Sequence, residues 1–140
     1  LMVIGILKGS FMFLSDLVRQ IDVPVQLDFV RLSSYMNASE PQGTVKIILD
    51  IQSDIKDRDV LIVDDILDTG QSMLAFRRHL EDKAVHSVKI CTLLDKTCRR
   101  EAQIQPDFYG FRIDDGFVVG YGLDYAEQYR ALPDIYLLDT

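Results

Sequence analysis

Val60-Leu61-Ile62-Val63-Asp64-Asp65-Ile66-Leu67-Asp68-Thr69-Gly70-Gln71-Ser72 is the stretch on which the fold turns. Its four leading residues form a short apolar run of the kind that fills a buried strand. Beyond it, Met73, Phe76 and Leu80 recur at three-to-four spacing and predict a helix with one inward face. In open α/β sheets, ligands gather beyond the carboxyl ends of strands, which puts Asp64 and Asp65 where a site would lie. Gly70 permits a backbone angle and a close approach that other residues resist. Successive amides from Asp68 to Ser72 can converge on a phosphate at the helix amino terminus, with Thr69 and Ser72 adding hydroxyl donors. The bland alternative is an acidic turn followed by an ordinary helix cap. The buried strand in front of it favours the phosphate cradle.

On either side of this stretch, strand-like runs alternate with helical periodicity, the pattern of an α/β protein with a mostly parallel sheet flanked by helices. Leu1 to Leu7 is an apolar run too short to span a bilayer, with no basic segment before it and no small-residue cleavage site after it, so it reads as a buried strand. Ser10 is placed to cap a helix whose Phe11, Leu14, Leu17, Val18 and Ile21 share a face. Val25, Leu27 and Phe29 alternate with polar residues, as do Val45, Ile47, Leu49 and Ile51, and both sets predict strands. Between them, residues 33–44 are turn-rich and long for a connection in a compact domain, either a functional loop or a merely disordered one. Further strands are expected over Val88–Leu94, Phe108–Ile113, Phe117–Tyr121 and Ile135–Leu138.

A length of 140 residues suits one domain and one core, and 48% hydrophobic with 26% charged residues excludes the profile of a disordered chain. The formal net charge of −7 argues against nucleic acid or anionic membranes as partners, because both attract basic surfaces. Such a chain can still hold phosphates through a divalent cation. Cys91 and Cys98 fit neither a disulfide framework nor a zinc site, and a reducing cytoplasm is the expected compartment.

The segment 60–72 resembles the diphosphate-sugar signature of the type I phosphoribosyltransferases: a hydrophobic strand, two acids, two apolar residues and Asp-Thr-Gly. Three further segments are similar to the hypoxanthine-guanine branch of that family. These are Leu7-Lys8-Gly9-Ser10, Leu94-Asp95-Lys96, and Phe117-Val118-Val119-Gly120-Tyr121-Gly122-Leu123-Asp124-Tyr125. The resemblance runs over essentially the whole chain and implies the type I phosphoribosyltransferase fold with a small hood region. Relatives usually carry an additional helix and strand ahead of the equivalent of Leu1, so the single domain 1–140 is expected to lack them.

By that resemblance, Asp68, Thr69, Gly70, Gln71 and Ser72 would hold the sugar 5′-phosphate, and Asp64 and Asp65 would face the ribose hydroxyls. Lys8, Gly9 and Arg130 would take the pyrophosphate, and a guanidinium fork suits phosphate oxygens by its geometry. Lys96 would donate to the exocyclic oxygen of a 6-oxopurine, Phe117 would stack on the base, and Val118 would offer it backbone groups. Asp64, Asp65 and Asp124 would recruit Mg2+, and Ser34-Tyr35 would open a loop that closes over the site. Read singly, Lys8 is equally an ordinary surface lysine, Phe117 a core residue and Asp124 a solvated carboxylate. Two departures stand out: many relatives have Glu at position 64, and some have Lys at position 71.

The reaction so implied transfers the phosphoribosyl group of 5-phosphoribosyl 1-diphosphate to hypoxanthine or guanine, with Asp68 as general acid or base, in purine salvage by a homodimer or homotetramer. Two other readings compete. A noncatalytic regulator on this fold would bind nucleic acid, against which the acidic charge speaks. A phosphoacceptor domain also combines an acidic pair with Asp and Lys, but there the pair follows the first strand rather than lying mid-chain.

Overall fold

The computed structural model describes residues 1–34 and 45–139. In chain order the elements are β1 (Met2–Leu7), α1 (Phe11–Val18), β2 (Gln26–Ser34), β3 (Val45–Leu49), β4 (Asp59–Leu67), α2 (Gln71–Glu81), β5 (Ser87–Lys96), β6 (Phe108–Ile113), β7 (Phe117–Val119) and β8 (Tyr136–Leu138). Six strands form the main sheet in the order β3-β2-β1-β4-β5-β6, and β7 pairs with β8 in a separate ribbon. Within the main sheet only β2 and β3 run antiparallel.

Within this sheet β1 presents side chains to both faces. Met2, Ile4 and Ile6 face one side and are buried with Met73, Phe76 and Leu80 of α2. Val3 faces the other side and is buried with Leu14 of α1. Successive strand residues point to opposite faces, so the two helices cover opposite sides of the sheet. Each large apolar side chain so buried contributes roughly 1.5–3 kcal/mol, and truncating Phe76, which is 1% exposed, would cost about 3–5 kcal/mol.

Three local expectations need correction. Ser10 does not cap α1 with its side chain; it is fully buried, and its hydroxyl donates to the Ile6 carbonyl at 2.6 Å. The helix also stops at Val18, leaving Ile21 beyond it and Phe11 exposed at its start. Asp64 and Asp65 lie within β4 rather than past its end, because its ladder with β5 continues through Leu67 opposite Asp95.

The chain passes from β1 outward to β2 and β3, then returns to β4 on the other side of β1. This reversal opens a crevice at the carboxyl ends of β1 and β4, the usual ligand position in such sheets.

Candidate active site

Two turns meet at the crevice. The first, Lys8-Gly9-Ser10, joins β1 to α1; the second, Asp68-Thr69-Gly70, joins β4 to α2. Gly9 is pressed so closely on the acidic pair that an added Cβ would enter the Asp65 carboxylate. Gly70 caps α2 in the left-handed region at φ 83°, and a Cβ there would stand 2.6 Å from the Ile104 Cγ2 methyl. The second turn is braced from behind by Arg100. Its Nε donates to the Asp68 carbonyl at 2.8 Å, Nη2 to the Leu67 carbonyl at 3.0 Å, and Nη1 to the Ile104 carbonyl at 3.0 Å. The same guanidinium pairs with the fully buried Asp95, which Arg112 also approaches at 3.2 Å. The Thr69 carbonyl accepts from the amides of Glu101 and Ala102 at 2.9 and 3.0 Å.

A cavity of about 290 Å³ lies in front of these turns, bordered by Gly9, Asp64, Thr69, Gly70, Ser72 and Arg130. A second, of about 230 Å³, is bordered by Lys96, Gly116, Phe117, Val118 and Leu123. Asp65, Asp68 and Asp124 belong to both walls. One compartment is therefore lined by carboxylates and a phosphate-type turn, and the other by an aromatic face, aliphatic groups and an ammonium.

Charge is concentrated where the compartments meet. Asp64 keeps a partly exposed edge, yet desolvation first and the neighbouring Asp65 carboxylate second push it well above the usual carboxylate range. A cation in the cleft would relieve that condition. Asp68 holds Arg99 through Oδ2 at 3.3 Å, while its Oδ1 is buried with no hydrogen-bond partner among the described residues. A lone buried acceptor facing a cavity is poised to take a proton or a ligand donor. Lys96, itself buried, donates to the Gly116 carbonyl at 2.9 Å. Phe117 is 44% exposed and meets Tyr125 edge-on with ring centroids 5.5 Å apart.

Asp124 accepts from the Glu127 amide at 2.9 Å and pairs with Arg130 at 3.4 Å. Arg130 also donates to the Gly122 carbonyl at 2.7 Å. Among the described residues no three His, Cys, Asp or Glu side chains form a ready-made metal cage, so Asp64, Asp65 and Asp124 share a cavity without converging on one point.

The structure thus brings Gly9, Asp64, Asp65, Asp68, Thr69, Gly70, Ser72, Lys96, Phe117, Val118, Asp124 and Arg130 to one crevice. Lys8 instead reaches Glu127 at 3.4 Å, and the Gln71 amide nitrogen bonds Glu101 at 3.3 Å. The backbone of Ser34 closes β2, and Tyr35 lies outside the described residues. Sequence reading overlooked Arg100, Asp95 and Glu127. Arg99-Arg100 read only as an isolated basic pair, although Arg100 stands just after a strand ending in a buried Asp-Lys.

Residues 1–126 match the phosphoribosyl transferase domain family. The chain belongs to that family. Its curated relatives include the hypoxanthine-guanine phosphoribosyltransferase of Staphylococcus aureus, 50% identical over 96% of this chain and 75% of the relative. The hypoxanthine phosphoribosyltransferase of Salmonella typhimurium is 47% identical over 95% of this chain and 75% of its own length. Among solved structures, a hypoxanthine phosphoribosyltransferase from Staphylococcus aureus superposes with a TM-score of 0.94 at 48% identity, covering 99% of this chain and 75% of that one. A hypoxanthine-guanine phosphoribosyltransferase from Bacillus anthracis gives 0.93 at 43% identity, covering 99% of this chain and 81% of that one. The expected mostly parallel sheet flanked by helices is the fold these enzymes share. No helix of the described residues is long and apolar enough to cross a membrane.

Proposed function

We propose that the chain transfers the 5-phosphoribosyl group of 5-phosphoribosyl 1-diphosphate to a ring nitrogen of hypoxanthine or guanine, releasing pyrophosphate. One observation carries this reading: Asp68 stands in the wall common to a carboxylate-lined cavity with a phosphate-type turn and a cavity holding Phe117 and Lys96. A sugar phosphate suits the first and a flat 6-oxopurine the second, so the bond to be made falls beside Asp68. Its buried, unpartnered oxygen can accept the ring proton as the base gains the sugar and return it in reverse. Amides from Asp68 to Ser72 hold the 5′-phosphate, and Lys8 and Arg130 receive the leaving group. Lys96 donates to the exocyclic oxygen, and Phe117 lies against the ring.

Mg2+ fits the acidic wall. This ion uses one or two carboxylates, completes its shell with water and substrate oxygens, and needs no all-protein cage. Asp64, Asp65 and Asp124 are the residues that would hold it, and it would supply charge neutralisation for the diphosphate. Ser34 and Tyr35 would begin the loop that excludes water from the reacting sugar. A homodimer or homotetramer working in the cytoplasm completes the proposal, and light scattering would measure the assembly. The deciding experiment supplies the diphosphate sugar and magnesium with hypoxanthine, guanine, xanthine or uracil. Nucleotide should form with hypoxanthine or guanine and not with uracil; silence with every purine would refute the assignment.

A further inference from the structure

Glu127 occupies an unusual place. Its Oε2 lies 3.4 Å from the Lys8 ammonium and 3.4 Å from Arg130 Nη2, and Arg130 Nε is at 3.4 Å as well. The two cations come from different parts of the chain, one from the turn after β1 and one from the connection between β7 and β8. A single carboxylate oxygen therefore sits between them, as an oxygen of a bound anion would. The backbone supports the placement. Ala126 and Glu127 both lie in the left-handed region, at φ 51° and 64°, which non-glycine residues adopt only when their surroundings hold them there. The Asp124 carboxylate provides that hold by accepting the Glu127 amide at 2.9 Å. The Glu127 side chain remains 64% exposed, so it is free to swing away.

We infer that Glu127 is an internal stand-in for the pyrophosphate group: it neutralises Lys8 and Arg130 when the site is empty and must be displaced when the diphosphate enters. The inference rests on the assignment of Lys8 and Arg130 to the leaving group. A more highly charged diphosphate outcompetes one carboxylate, and the displaced Glu127 then repels the bound anion. The result is looser binding of the diphosphate sugar and easier departure of pyrophosphate. Affinity at this end of the site is thereby set by a residue whose own role is competition.

Calorimetric titration tests this with E127Q, which keeps shape and removes charge, and with E127A. Inorganic pyrophosphate and the diphosphate sugar should each bind about three- to tenfold tighter to both variants, since two exposed ion pairs no longer compete. GMP, whose single phosphate belongs to the Asp68–Ser72 cradle, should bind within about twofold of the parent. The gain should shrink at high salt, which screens the competing pairs. Unchanged or weaker pyrophosphate binding by the variants would overturn the inference, weaker binding meaning that Glu127 positions the cations instead of blocking them. If the parent protein bound neither pyrophosphate nor the diphosphate sugar, the underlying site assignment would fall instead.

Discussion

Replacing Arg100 with Met should be among the most damaging changes outside the apolar core. The Arg100 side chain is 9% exposed, and its partner Asp95 is completely buried. Removing the cation leaves Asp95, among the described residues, with Arg112 alone, a half-exposed side chain at 3.2 Å that also lies over the Tyr109 ring. Breaking a buried ion pair from one side costs about 3–5 kcal/mol. That is a large share of the roughly 5–15 kcal/mol that holds a domain together. With about 3 °C of melting temperature per kcal/mol in a chain of this size, Arg100→Met should melt about 10–15 °C lower. Arg112→Met, which removes a largely solvated partner, should cost no more than about 1 kcal/mol. Because the harm comes from an abandoned charge, adding Asp95→Asn to Arg100→Met should recover part of the loss. Circular dichroism melts and urea titrations of the three variants measure all of this. A melting point within about 3 °C of the parent for Arg100→Met, or a larger loss for Arg112→Met, would refute the reasoning.

Asp68→Asn should slow the chemical step about 10²–10⁴-fold in single-turnover experiments while leaving the fold intact. An unchanged rate would remove Asp68 from proton transfer. At the amino-terminal end of the β4–β5 pair, His86 is raised above the usual 6.5, chiefly by its hydrogen bond to Asp59 and then by that carboxylate's charge. A base raised in the folded state stabilises it fully below the unfolded value and loses that contribution as pH climbs through the folded one. Asp59 is lowered, first by Ser87 and then by His86, so its contribution is present above the usual 3.8 and lost as pH falls through its folded value. The melting-point gap between the parent and His86→Gln should accordingly be widest in mildly acidic buffer and close at alkaline pH. A gap independent of pH would contradict the pairing. Of the two thiols, Cys91 is buried and pushed up to about 11 by desolvation, whereas Cys98 is exposed. A chromogenic disulfide reagent should titrate one thiol in native protein and two in urea; rapid reaction of both without denaturant would show that the Cys91 strand opens.

Much of the fold was legible because it depends on local periodicity. β6 has the bounds its apolar run implies, and α2 buries Met73, Phe76 and Leu80 as their spacing requires. The acidic pair was found, but its place inside β4 was not, because strand length is decided by the ladder with β5, which one chain segment does not reveal. Ser10 looked like a cap because its residue type and position fit one; the nearness of the Ile6 carbonyl across the turn, which captures its hydroxyl, is a matter of geometry. The crevice residues were recoverable from motif resemblance. Arg100 and Glu127 were not, since each works on partners far away in sequence: Arg100 on carbonyls 32 and 33 positions earlier, Glu127 on Lys8 at a separation of 119. Spacing rules see neighbours along a helix or strand and are blind to such meetings.

The bracing behind the Asp68-Thr69-Gly70 turn also fixes which way its amides point. A trans peptide unit is rigid and planar, with its N–H directed opposite to its C=O. Arg100 grips the oxygens of Leu67 and Asp68, and the Glu101 and Ala102 amides grip that of Thr69. Three consecutive peptide planes are thereby locked against flipping, which commits the N–H groups of Asp68, Thr69 and Gly70 to the opposite side from their rear anchors. The proposed anion receptor is in this sense aimed from its back surface, and the orientation of its amides is set by the chain itself.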